Sequence, residues 1–219
     1  MYGPLPPVVR ILLIANFAVY FLQVTVGDVL IAHFALWPLG EPPVELVRRG
    51  FPPDVGFAPW QLLTYGFMHG NPPHLLINMF ALFMFGSELE RFWGGRPFAI
   101  YFLVCVIGAG LVQLVVATLA VEQGQFYPTV GASGGVFGIL LGYAMMFPRR
   151  RVMLLFPPIP MPAWLLVTLF GALELYLGVS GTRSGIAHFA HLGGMVFGFL
   201  VIQYWRGRLP IKPKRQLMR

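Results

Sequence analysis

Residues 131–147 read GASGGVFGILLGYAMMF. A serine between glycines is a common setting for a nucleophile in water-soluble hydrolases, yet the residues that follow are written for lipid. Gly134, Gly138 and Gly142 recur every four positions, the spacing that lets membrane helices approach closely. A membrane-crossing helix needs about 20 apolar residues. The run over 132–147 is shorter, which suits a central helix packed on all sides by protein.

The rest of the chain agrees with a lipid solvent. Of 219 residues, 57% are hydrophobic and only 11% charged, where a soluble domain carries about 25% charged residues. Mean hydropathy is +0.73. The length suits one domain, residues 1–219. Apolar runs predict an all-α, polytopic membrane bundle with six transmembrane spans at 8–26, 74–92, 97–121, 132–147, 153–177 and 186–205. The "PPIPMP" within the fifth predicts irregular backbone in its early part. The N-terminal run lacks a basic region followed by a cleavage site and is taken as a retained first span.

Charge sets the orientation. Lys and Arg total 15 against 8 acids. Arg10, Arg91, Arg96, Arg149, Arg150, Arg151 and six residues of the tail 206–219 lie on one side of the predicted membrane, twelve in all. Arg48, Arg49 and Arg183 lie on the other. The bias predicts that both termini are cytoplasmic and the 27–73 loop external. The basic tail suits anionic lipid rather than nucleic acid. Within the loop, PWQLLTYGFMHG is too short to cross and is expected to lie in the interface or re-enter. Cys105 is alone, so no intrachain disulfide forms, and no cysteine or histidine spacing suggests a metal or other cofactor.

Polar side chains inside spans are functional hypotheses by default. His74 and Asn78, Ser133, and His191 begin three different spans at the same face. At about 1.5 Å of rise per residue they share one depth, within roughly 10 Å of the outer boundary. His74 and Asn78 could serve packing alone, and Ser133 could be a small packing residue. Chemically, however, Ser133 and His191 suit a nucleophile and its base. His74, Asn78 and the serine N–H suit an oxyanion site, and Gly131 leaves room for substrate backbone. Ser133, Glu174 and His191 repeat the serine–acid–histidine order of soluble hydrolases, but the strand that a nucleophile elbow requires is missing. A Ser133–His191 dyad is therefore expected, with Glu174 accessory. Between the two histidines of the last span, His191 shares a stripe with Ala187, Gly194 and Gly198 and can approach closely. His188 shares one with Leu192, Met195 and Phe199. It is expected to face water, as an interfacial residue or modest aid to the site.

These residues resemble the rhomboid family of intramembrane serine proteases, in the bacterial type with a six-helix core. HLLINM is similar to its H-x-x-x-N motif, GASGG to its G-x-S-G, and AHLGGMVFG to its last-helix pattern. WQLLTYGFMHG and GSELERFWG are similar to its loop and post-second-helix segments. The resemblance implies a bacterial inner-membrane endopeptidase that cuts transmembrane protein substrates within the lipid bilayer, near the outer face. Two departures stand out: Trp60-Gln61 where many members have tryptophan–arginine, and Phe137 where some have tyrosine. A catalytically silent relative that binds membrane clients is the alternative, and it would be expected to lack the serine or the histidine. A conduit is disfavoured because the polar groups gather at one depth.

Overall fold

A computed structural model describes residues 3–153, 158–180 and 187–213. Arg183 and the tail residues Lys214, Arg215 and Arg219, which enter the charge count, lie outside the described residues. The chain is mostly helical. Helix α1 (Pro7–Val26) starts with proline where a missing N–H costs nothing. Its free N–H groups at Val8 and Val9 donate to the buried Glu90 carboxylate, at 3.0 and 2.8 Å. Two short helices, α2 (Asp28–Phe34) and α3 (Val44–Arg48), follow in the long loop.

The predicted interfacial segment folds as α4 (Gln61–Thr64) and a 3₁₀ turn, Tyr65–Phe67. It burrows into the protein: Tyr65, Met68 and His69 are buried, and the Tyr65 hydroxyl donates to the Val106 carbonyl at 2.8 Å. Gln61 does the anchoring. Its side chain accepts from Trp37 N at 3.1 Å and donates to Gly56 O at 3.0 Å, while Trp60 Nε1 donates to His33 O at 2.8 Å.

Next, α5 (Pro72–Ala81) runs through a π-helical turn, Leu82–Gly86, into α6 (Ser87–Trp93). Asn71 caps this unit by accepting the His74 N–H at 2.8 Å, the preferred N-cap chemistry. Gly94, at φ 87°, turns the chain into α7 (Gly95–Val121), about 40 Å long at 1.5 Å per residue. Then come α8 (Ser133–Met146), a hairpin of β1 (Arg151–Met153) and β2 (Pro160–Pro162), α9 (Ala163–Val179) and α10 (His188–Trp205). Among the described residues, the fifth apolar run thus becomes helical only at Ala163, and Met153 ends a strand instead. Prolines 160 and 162 leave the preceding backbone extended.

Helices α1 and α7 are long and apolar enough to cross a membrane by length and composition; α8 and α9 are apolar but shorter. One face of α1 and of α9 is exposed and oily, with Ile14, Phe21 and Val24 on the first and Leu173 and Tyr176 on the second. Such faces are the mark of a lipid or protein neighbour rather than water. In the middle, α8 is clamped between α7 and α10. A Cβ on Gly194 would run into the Gly134 carbonyl, and one on Gly138 into Cys105. Backbones this close need glycine on both sides.

Candidate active site

Ser133 is the first residue of α8, so its N–H and that of Gly134 have no acceptor within the helix. The turn before it is fixed from outside: the Gly131 N–H donates to the Tyr65 carbonyl at 2.9 Å. Gly131 has φ 138°, and a Cβ there would sit 2.9 Å from His74 Nε2 and 3.5 Å from Ser133 Oγ. Only glycine meets both conditions.

Across the α8–α10 contact, His191 Nε2 lies 2.8 Å from Ser133 Oγ. The imidazole is buried and lies flat on Phe137, with centroids 4.2 Å apart and planes 6° apart. Phe137 is thus a wall for the histidine, with no hydroxyl to compete for its nitrogens. From α5, His74 accepts a long bond from Gly70 N–H at Nδ1, 3.4 Å, which leaves the Nε2 side toward Gly131 and Ser133 as the donor. The Asn78 amide donates one N–H to the His74 carbonyl at 2.9 Å, and an amide nitrogen has a second to give. His74, Asn78, Ser133 and His191 all line one cavity of about 2550 Å³. Its lining includes the apolar Phe80 and Met84 and, from α9, Leu166 and Phe170.

One expectation needs correction. His188 does not face water: it is 5% exposed, and its Nδ1 lies 2.6 Å from Glu174 Oε2. Of the bulky stripe it heads, Met195 packs on α9 at Gly171. Glu174, the accessory candidate, lies beside the dyad. The same Oε2 lies 2.9 Å from His191 Nδ1, so serine, histidine and carboxylate stand in series. That last contact is close enough for an ion pair but poorly aligned for a hydrogen bond. Distance matters more here, because a charge acts on an imidazole whatever the N–H angle. The dyad expected from missing strand context is therefore accompanied by an acid, delivered by a helix.

Two further features escaped sequence reasoning. His69 is fully buried, packs edge-on against His74 at 5.1 Å, and has neither ring nitrogen hydrogen-bonded among the described residues. The sequence signal for it was its place five residues before His74. No metal spacing was visible either, yet one ligand atom each from Glu174, His188 and His191 lies within 4.8 Å of the others.

The Rhomboid domain model matches residues 57–208. The chain is 30% identical over 142 residues to RHOMBOID-like protein 4 of Arabidopsis thaliana, covering 65% of this chain and 33% of that one. It is 30% identical over 156 residues to the mitochondrial Rhomboid protein 1 of Saccharomyces cerevisiae, covering 71% and 44%. The mitochondrial presenilin-associated rhomboid-like protein of Mus musculus is 28% identical over 161 residues, covering 68% and 40%. The chain spans less than half the length of these relatives. Two of them are named as mitochondrial, so the expected bacterial inner membrane finds no support among them. The matched region holds α4 through α10 and every residue of the cavity's polar end, and by that match this integral membrane protein belongs to the rhomboid family.

Proposed function

We propose that this protein is an intramembrane serine endopeptidase that cleaves transmembrane segments of other membrane proteins. The observation that carries this is the 2.8 Å contact between His191 Nε2 and Ser133 Oγ, inside a cavity whose lining includes apolar side chains. In this mechanism Nε2 takes the serine proton as Oγ attacks the scissile carbonyl. Glu174, at Nδ1, holds the proton-accepting tautomer and offsets the charge of the imidazolium. The oxyanion meets the N–H groups of the α8 N-terminus, His74 Nε2–H and the spare N–H of Asn78. His191 then returns the proton to the leaving amine, and water repeats the sequence on the acyl-enzyme.

The proposal includes six spans, one domain over 1–219, and both termini on the cytoplasmic side, supported by the charge bias. The oily exposed faces of α1 and α9 suit lipid. A silent client-binding role is less well supported, because nucleophile and base are both present and in contact. The test is cleavage of a generic transmembrane substrate by the purified protein. Ser133→Ala should abolish cleavage with unchanged thermal unfolding, since it removes one hydroxyl from a helix start. Normal cleavage by that variant would refute the proposal.

A further inference from the structure

We propose that Glu174, His188 and His191 form a binding site for a zinc ion, and that zinc bound there silences the protease reversibly. Their ligand atoms converge from two helices, His188 and His191 three residues apart on α10 and Glu174 from α9. Nδ1 of each histidine lies close to the same carboxylate oxygen, 2.6 and 2.9 Å away, and one ligand atom from each residue lies within 4.8 Å of the others. Donors on one tetrahedral zinc stand about 3.3 Å apart, from bonds of about 2.0–2.1 Å. The cluster would therefore open at its short edges and tighten at its long one by about 1.5 Å or less.

Charge favours a cation here. Among the described residues, the ion-pair partners of Glu174 are these two imidazoles, with no lysine or arginine beside it. A carboxylate only 12% exposed and without a lysine or arginine beside it among the described residues is costly to hold. A divalent ion would neutralise it. Two imidazoles and a carboxylate are the donor set of zinc rather than magnesium, which prefers oxygen ligands and keeps its waters. Access exists, since both histidines line the large cavity, from which water can supply the fourth ligand.

The effect on chemistry follows from the two imidazole nitrogens. With zinc on Nδ1, the single proton of neutral His191 must sit on Nε2. No proton is lost; the ring has only exchanged tautomers. Nε2–H then donates to Ser133 Oγ, 2.8 Å away, and no lone pair remains to take the serine proton. The base has become a donor, and proteolysis stops until zinc leaves.

Binding is tested without any need for activity. Zinc chloride is titrated calorimetrically into the purified full chain carrying Ser133→Ala, with magnesium chloride in parallel. One zinc per chain is expected, no magnesium, and at least a tenfold loss of zinc affinity on adding either His188→Phe or Glu174→Gln. Failure to bind zinc, or binding that both changes leave untouched, overturns the site. The exposed His33 would account for the second result. The silencing step rests on the protease reading and is measured as the ratio of cleavage rates with and without zinc, so that each variant is its own control. The otherwise unaltered chain should lose at least tenfold and recover on chelation, while His188→Phe should keep a ratio near one. Zinc bound without loss of cleavage overturns the silencing. A chain that binds zinc but cleaves nothing under any condition overturns the protease reading and, with it, the silencing.

Discussion

Glu174 shows how a residue's surroundings decide its role. In sequence it is one acid in an apolar run, and the order serine–acid–histidine points to a fold that is absent. In space its Oε2 touches Nδ1 of both His188 and His191. Glu174→Gln keeps the size of the side chain and removes the charge, so it separates orientation by shape from stabilisation of the imidazolium. The variant should lose about 100-fold or more in kcat with KM little changed, because the charge matters only once the serine proton has moved. Glu174→Asp should recover part of the loss. Steady-state kinetics on a transmembrane substrate decide this, and an unchanged kcat for Glu174→Gln would reduce Glu174 to a clasp between α9 and α10. The convergence of Ser133, His191, His74 and Asn78 on one cavity was legible because motif spacing and a shared depth select them. The partnership of Glu174 with His188 was not, since it depends on how α9 is rotated against α10, and apolar runs without polar periodicity do not encode that rotation.

At the level of elements, the active geometry depends on how closely α8 and α10 pack. The small residues every fourth position announced that contact, and the structure realises it where a methyl added at Gly194 would meet the Gly134 carbonyl oxygen. Gly194 is three residues after His191, hence one turn away on nearly the same face. Gly194→Ala should push α10 outward near the histidine and cost about 1–3 kcal/mol, the usual penalty for overpacking. Fluorophosphonate labelling of Ser133 should slow at least tenfold, with a lower Tm in detergent. Val196→Ala, at a site 54% exposed, should change neither. Equal labelling rates in Gly194→Ala and the unaltered chain would mean that the serine–histidine contact tolerates a wider helix gap. Element ends were less legible than element centres. The fifth apolar run hid the pairing of β1 with β2 before α9, because apolar residues such as methionine serve a strand as well as a membrane helix.

Over the whole molecule, arginine and lysine placement decides which side of the membrane receives the site. The polar end of the cavity lies where α5, α8 and α10 begin, the opposite end of those helices from Arg91, the 148–152 loop and Arg208. If basic loops stay in the cytoplasm, catalysis occurs toward the external side, below the 27–73 segment. The prediction can be read with single cysteines, because the native Cys105 is fully buried in α7 and should not react. Asp54 and Arg208 are both exposed, in the long loop and just beyond α10. In intact cells a membrane-impermeant maleimide should label Asp54→Cys at once and Arg208→Cys only after the membrane is opened. Labelling of Arg208→Cys from outside, with Asp54→Cys protected, would invert the topology and move the cut to the cytoplasmic half of the substrate. Labelling of both from outside would mean that these sites are not separated by the bilayer. The six-span arrangement would then be wrong, although the serine–histidine contact would stand.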